Sequence, residues 1–249
     1  MIRGIATFKA YFRGYEDQYV LIGGAACDIL FANMDANFRA TRDLDMVLLV
    51  EALTPEFGNR FWDFIKEGGY RNKASSNGNP QFYRFDKPER EEFPKMVELF
   101  SRTVFPLHEM TWITPVHLDD TVSSLSAILL NDEYCEALVC GRTVIDGLSV
   151  LKPEYLILFK AKAYLDLKNR KANGEKVDSS DIKKHKNDVL RIAVEMILDD
   201  LHGIKGMVRD DFNQFLQVIT DEPFDINVLK RYGVKSEEVR QRLEQLMKE

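Results

Sequence analysis

The stretch Tyr19-Val-Leu-Ile-Gly23-Gly24, a helix-length segment, and then Arg39-Ala-Thr41-Arg42-Asp43-Leu-Asp45-Met-Val-Leu-Leu-Val50 decides the fold. Tyr19–Ile22 is short, apolar and β-branched, and two glycines close it, so it reads as a buried strand. Ala25–Met34 has the length and composition of a helix. Asp43–Val50 is nearly continuously apolar after its two acids, as expected of a strand covered on both faces. Side chains at i and i+2 of a strand share a face and lie ~6.6 Å apart along the backbone. Asp43 and Asp45 therefore present two carboxylates side by side at the start of that strand.

Two carboxylates at this spacing can converge on a pair of divalent cations ~4 Å apart, the arrangement that supports phosphoryl transfer. Hard oxygen donors suit magnesium. Gly23 and Gly24 let the backbone approach a phosphate, and the following helix turns its N-terminal amides toward the negative charge. Arg39 and Arg42 stand close enough in sequence to meet a triphosphate. A third acid is expected from a neighbouring strand. Lys95-Met-Val-Glu98-Leu-Phe100 alternates as a strand, and Glu98 sits mid-strand between apolar residues, where an unpartnered carboxylate is costly. Glu98 is thus the third acid, as metal ligand or as general base toward an acceptor hydroxyl.

Working outward, an amphipathic helix is predicted over Arg3–Tyr15, in place of a signal peptide. Another starts at Thr54-Pro55-Glu56 and stops at Gly68-Gly69. Arg71–Asn79 reads as a turn-rich loop and Gln81–Phe85 as a strand. Ser126–Leu130, Ala137–Cys140 and Thr143–Ile145 read as small strands or a hairpin, with turns at Asn131-Asp132 and Gly141. Beyond Leu151 the periodicity is helical, over Pro153–Leu167, Ser179–Leu201, Asp210–Thr220 and Ser236–Met247. The expected organisation is a mixed α/β catalytic domain over residues 1–150 and an α-helical domain over 151–249 that closes a substrate cleft.

The order and spacing of these motifs resemble the core of the polymerase-β-like nucleotidyltransferase superfamily. The narrower pattern Arg39-x-Thr41-x-Asp43-x-Asp45 resembles its AbiEii/AbiGii-type toxin branch. So does the helical half, with Lys160 and Lys162 on one helix and Asp181 and Asp188 on the next. The resemblance spans about Tyr19 to Ile192. It implies an NTP donor, two Mg2+ ions at Asp43, Asp45 and Glu98, and NMP transfer to an acceptor hydroxyl. It further implies nucleotide contacts from Gly23, Gly24, Arg39, Thr41 and Arg42, a toxin role with a cognate antitoxin, and in some members transfer to tRNA ends. Lys160 and Lys162 compete for one phosphate-contacting position, with Lys160 preferred, because residues two apart on a helix point ~200° apart. Asp181 and Asp188 compete likewise. Antibiotic-modifying nucleotidyltransferases share the core motif, so the acceptor stays open among RNA ends, a protein hydroxyl and a small molecule. A catalytically inert partner-binding module of the same fold is the alternative from another class.

Composition sets the outer bounds. The 249 residues are 45% hydrophobic and 30% charged, with a net charge of −6, as in an ordinary soluble domain or pair of domains. No apolar run reaches the ~18 residues of a membrane span. The net charge does not advertise a polyanion partner, but Lys152–Arg191 carries 11 Lys/Arg against 6 Asp/Glu, and a local patch of this kind can bind RNA. Three cysteines without metal-ligand spacing predict free thiols in a reducing cytoplasm. Phe61, Trp62 and Phe64 fit the buried side of a helix, and Cys27 fits a small apolar role.

Overall fold

The computed structural model describes residues 2–49, 54–75, 81–101, 114–115 and 131–247. The chain is a mixed α/β protein of two compact units, Met1–Leu118 with Arg142–Leu151, and Asp119–Gly141 with Lys152–Glu249.

The first unit is a mixed sheet with three described helices. Helix α1 covers Ile5–Tyr11, strand β1 Tyr19–Leu21, helix α2 Gly23–Ala32, strand β2 Asp43–Leu48 and helix α3 Pro55–Glu67. Strands β3 (Asn72–Ser75), β4 (Gln81–Asp86), β5 (Met96–Ser101), β6 (Thr114–Pro115), β7 (Arg142–Ile145) and β8 (Leu148–Leu151) follow. Hydrogen bonding sets the order β6-β3-β4-β5-β2-β1-β8-β7. β1 runs antiparallel to β2, with Leu21 opposite Met46, and β2 runs parallel to β5. α2 begins at the diglycine itself, not at Ala25, because Gly23 adopts φ +64° and turns the chain straight out of β1. That left-handed conformation is open to glycine at little cost.

Two further expectations are corrected in this unit or beside it. Asn72–Ser75 of the expected loop forms β3, whose backbone is satisfied by β4 in the register Asn72↔Asp86 to Ser75↔Tyr83; residues 76–80 lie outside the described residues. Ala137–Cys140 is the end of a helix, not a strand. Asn131 caps that helix through its side chain, accepting from the amides of Glu133 and Tyr134, and acids occupy the first turn. Cap and dipole together outweigh the β-like run Ala-Leu-Val. The strand expected at Ser126–Leu130 lies outside the described residues. Thr143–Ile145 does form a strand, paired with β8 across a two-residue turn at Asp146-Gly147.

The core of this unit is aromatic. Thr54 caps α3 by accepting from the amide of Phe57 at 3.2 Å, and Pro55 fits the first turn. This start rotates Phe57, Phe61, Phe64 and Ile65 into the interior, where all four are fully buried. Phe64 meets Phe8 of α1 edge-on at 5.8 Å, and Phe12 lies 5.5 Å from Phe57. Such pairs add ~0.5–1.5 kcal/mol each beyond area burial. Trp62 and Cys27 are buried too, in keeping with their expected roles.

The second unit is helical in its described part: α4 (Asp132–Cys140), α5 (Pro153–Ala172), α6 (Ser179–Glu195), α7 (Gly206–Asp221), α8 (Ile226–Tyr232) and α9 (Ser236–Gln245). α5 is central, burying Leu156–Ala161 and Ala163–Leu165 without interruption and packing on α6 and α7. α6 stops at Glu195, short of the expected Leu201, where Met196 turns extended (φ −108°, ψ 151°). Leu201 is instead tied by its amide to the carbonyl of Leu246 at 2.7 Å. α8 was not foreseen; Asp225 caps it and Gly233 (φ +66°) ends it. Gly206 starts α7 against α4, and the Glu133 carboxylate accepts from the amide of Met207. Among the described residues no helix is long and apolar enough to cross a membrane.

Glu154, in the first turn of α5, is 2% exposed. Burial pushes its carboxyl up from the usual range, the Asp199 carboxylate nearby adds to this, and backbone amides oppose it. The folded state then binds a proton more tightly than the unfolded chain. Stability from this group is complete below the ordinary glutamate range and is lost as pH rises through the raised folded value. Glu154→Gln is therefore expected to flatten the fall in stability above pH ~4.5 relative to the parent protein. Urea midpoints measured from pH 4.5 to 8 check this, and an unchanged slope rules it out.

Candidate active site

The two acids of β2 and the acid of β5 occupy one face of the sheet. β2 and β5 run parallel with Asp45 directly opposite Glu98. Asp43, two residues earlier, shares the face of Asp45. One strand further on, Arg84 of β4 lies opposite Glu98. Asp45, Glu98 and Arg84 thus form a row across β2, β5 and β4. Arg84 grips one carboxylate oxygen, Oε1, with both Nε and Nη2 at 2.8 Å.

Glu98 is 6% exposed, while Asp43 and Asp45 are half-buried. Burial raises the pKa of Glu98, and the negative charge of Asp43 raises it further. A hydrogen bond with Asp45 and the positive charge of Arg84 pull in the other direction without cancelling the rise. Three carboxyl groups are therefore within electrostatic reach of one another, and the innermost holds its proton more tightly than a free glutamate. The sequence reading missed Arg84. Its signal was a cation between two aromatic residues, Tyr83 and Phe85, in a strand, but only the register reveals its partner.

The diglycine closes on the same acids. A Cβ at Gly23 would fall 2.0 Å from Oδ2 of Asp45, so the backbone at the head of α2 sits directly against that carboxylate. The positive φ excludes other residues as firmly as the contact does. A Cβ at Gly24 would fall 2.8 Å from Oγ1 of Thr41 and 3.6 Å from Nη2 of Arg39. Phe38 makes this possible: it is 9% exposed, its ring lies 5.0 Å from that of Phe31 on α2, and the guanidinium of Arg39 lies 5.3 Å from the Phe38 ring. Anchoring Phe38 on α2 carries residues 39–41 back over the helix start. Gly23, Gly24, Arg39, Thr41, Asp45 and Glu98 are thereby brought together, with Asp43 beside them. Arg42 is exposed on the same segment.

The four remaining candidates belong to the second unit. Lys160 of α5 and Asp188 of α6 bind each other at 2.6 Å, with side chains 5% and 3% exposed. Lys162 lies between Asp166 and Asp211 at 3.2 Å from each, and Tyr134 donates to Asp211 at 3.0 Å. The carboxylates beside Lys162 hold its ammonium above the usual lysine range against the opposing effect of burial. Asp181 occupies the first turn of α6, whose cap is Asp178. Between the competing aspartates, Asp188 is the buried one and Asp181 is half-exposed.

Hard oxygen donors at Asp43, Asp45 and Glu98, with a close backbone approach at Gly23, suit a small divalent cation in kind. As they stand, no three His, Cys, Asp or Glu side chains among the described residues are grouped to hold a metal ion. The Arg84 clamp on Glu98 gives a physical reason. Asp43 and Asp45 are the better fit to a cation, because Arg84 already occupies one of the two carboxylate oxygens of Glu98. No protein-family model matches the chain, and a search of curated proteins finds no match.

Proposed function

We propose that the protein is a magnesium-dependent nucleotidyltransferase of the polymerase-β-like kind, in the AbiEii/AbiGii-type branch, that transfers an NMP from an NTP to an acceptor hydroxyl. One observation carries this reading: the diglycine at the head of α2 lies against the Asp45 carboxylate, with Glu98 in register beside it. One carboxylate can cap a helix start, but three carboxyl groups clustered beside it exceed what capping needs, and they repel one another and any phosphate the helix start attracts. A divalent cation between them resolves the conflict.

In the proposed step, the acceptor oxygen attacks the α-phosphorus and a new P–O bond forms. The bond from the α-phosphorus to its bridging oxygen breaks, and pyrophosphate leaves with that electron pair. Magnesium bound by Asp43 and Asp45 would supply activation of the acceptor oxygen and neutralisation of charge on the leaving group. The amides at Gly23 and Gly24 and the head of α2 receive phosphate oxygens. Arg39 adds a guanidinium on the same side, suited to phosphate by its planar fork. Glu98, with its raised affinity for a proton, is suited to take the proton from the acceptor hydroxyl.

The Glu98–Arg84 ion pair favours a second reading, a catalytically inert module that retains the fold and binds a partner. Calorimetry with magnesium and each NTP separates the two. Metal-dependent NTP binding, lost in Asp45→Asn, is expected; its absence supports the inert module. Incubation with labelled NTPs, magnesium and total tRNA then tests the acceptor. Label is expected on RNA, and label found only on protein or on an added aminoglycoside overturns the RNA acceptor. A toxin role, with a cognate antitoxin, belongs to the same proposal and rests on the sequence resemblance.

A further inference from the structure

At the C-terminal half of α2, away from the diglycine at its head, the first unit contains a concavity of about 420 Å³. This falls in the ~300–1,000 Å³ range of small-molecule sites. Its walls come from α1 (Ile5, Ala6), the C-terminal half of α2 (Ile29, Ala32) and the β7–β8 hairpin (Ile145, Leu148). These six are all aliphatic, so the cavity offers no ring on which a base could stack. A compact domain ordinarily fills such a space with its own side chains, and a largely apolar concavity of this size is the kind of place where small ligands bind.

The polar part of the lining is Lys9, Asp146 and Asn33: one cation, one anion and one amide. Lys9 is a lining cation, and the turn holds it in place: its ammonium donates to Oδ1 of Asp146 at 2.5 Å. Its stem crosses Gly147, where an added Cβ would lie 3.3 Å from Cε. Asp146 and Gly147 both have positive φ, 47° and 68°, as a tight two-residue hairpin turn requires. Asp146 uses one of the three donors of the ammonium. Its side chain is 75% exposed and that of Lys9 39%, and exposed ion pairs of this kind contribute little to stability. A ligand anion can therefore share the ammonium or take it over, while the aliphatic walls receive an uncharged body.

We propose that this cavity binds a small monocarboxylic acid with a straight or branched aliphatic body, its carboxylate on Lys9 and its chain against Ile5, Ile29, Ile145 and Leu148. The site is separate from the acids of β2 and β5, and it stands or falls independently of the nucleotidyl-transfer reading.

The test uses the full chain, with octanoate and decanoate, below their micellar range, as probes and the matching alcohols as controls. Methyl resonances of Ile5, Ile29 and Ile145 are expected to shift saturably with decanoate, while those of Ile157 and Ile192 in the second unit stay still. Lys9→Met is expected to weaken decanoate binding about tenfold or more and to leave decanol binding unchanged. Ala32→Phe, which fills the cavity, is expected to abolish both. Should Ala32→Phe fail to fold by circular dichroism, Ala6→Phe at the exposed rim replaces it. Absence of saturable shifts, shifts spread equally over both units, binding indifferent to Lys9→Met, or decanol binding as tightly as decanoate each overturns the proposal.

Discussion

Asp45→Asn is expected to lower nucleotidyl transfer by on the order of 10³-fold while leaving the melting temperature unchanged or raised. The two halves of that result have one cause. Asp45 shares a sheet face with Asp43, lies opposite Glu98 and touches the backbone of Gly23. In the folded protein without a cation, removing one carboxylate from such a cluster removes like-charge repulsion, and the amide side chain keeps the shape. In the working enzyme the same change withdraws a ligand from the charge-neutralising centre. A loss of about 4 kcal/mol of transition-state stabilisation corresponds to that thousandfold, at tenfold per ~1.4 kcal/mol. A site that is strained when empty and active when filled shows this inverse relation of stability and activity. Single-turnover transfer and thermal melts on the same preparation check it. An Asp45→Asn protein that melts normally and transfers at the parent rate removes Asp45 from the chemistry.

How far the sequence reveals this site depends on which contacts are local. The diglycine and the Asp-x-Asp pair were legible because they sit on two strands that follow each other in sequence with one helix between them. Once Tyr19–Leu21 and Asp43–Leu48 are antiparallel neighbours, Ile22 donates to the carbonyl of Asp45 at 3.0 Å and Gly23 follows beside it. Glu98 was legible through cost, as an acid in an apolar strand. Arg84 was not, because its partner depends on the register of β4 against β5, and residues so far apart in sequence carry no local signal of register. The helix Asp132–Cys140 failed for a different reason. Its C-terminal apolar run reads as a strand, whereas the asparagine cap and the acids at its start decide for a helix by satisfying amides of the first turn. Asp146-Gly147 was a hairpin signal passed over in the sequence. In the second unit the periodicity located the long helices, and what it could not locate was which charged residue meets which across two helices.

Lys160 and Asp188 are the sharpest instance, and removing either alone is expected to destabilise the protein by ~3–5 kcal/mol. The pair is 2.6 Å long and both side chains are at most 5% exposed. Lys160→Met leaves a buried carboxylate without its cation, and Asp188→Leu leaves a buried ammonium without its anion. Losing this partner costs each buried charge far more than the pair contributes when intact. The double variant Lys160→Met/Asp188→Leu buries two apolar groups in place of two charges and is expected to recover most of the loss, since a buried ion pair and a well-packed apolar replacement differ little. Urea unfolding of the two single variants and the double variant gives the coupling energy directly. Transfer activity then distinguishes the roles open to Lys160. Because Asp188 already engages its ammonium within the helical unit, the stable double variant is expected to keep its transfer activity within about tenfold of the parent. A double variant that melts like the parent but transfers a hundredfold more slowly, a loss of about 2.7 kcal/mol of barrier, assigns Lys160 to the substrate phosphates as the sequence resemblance implies.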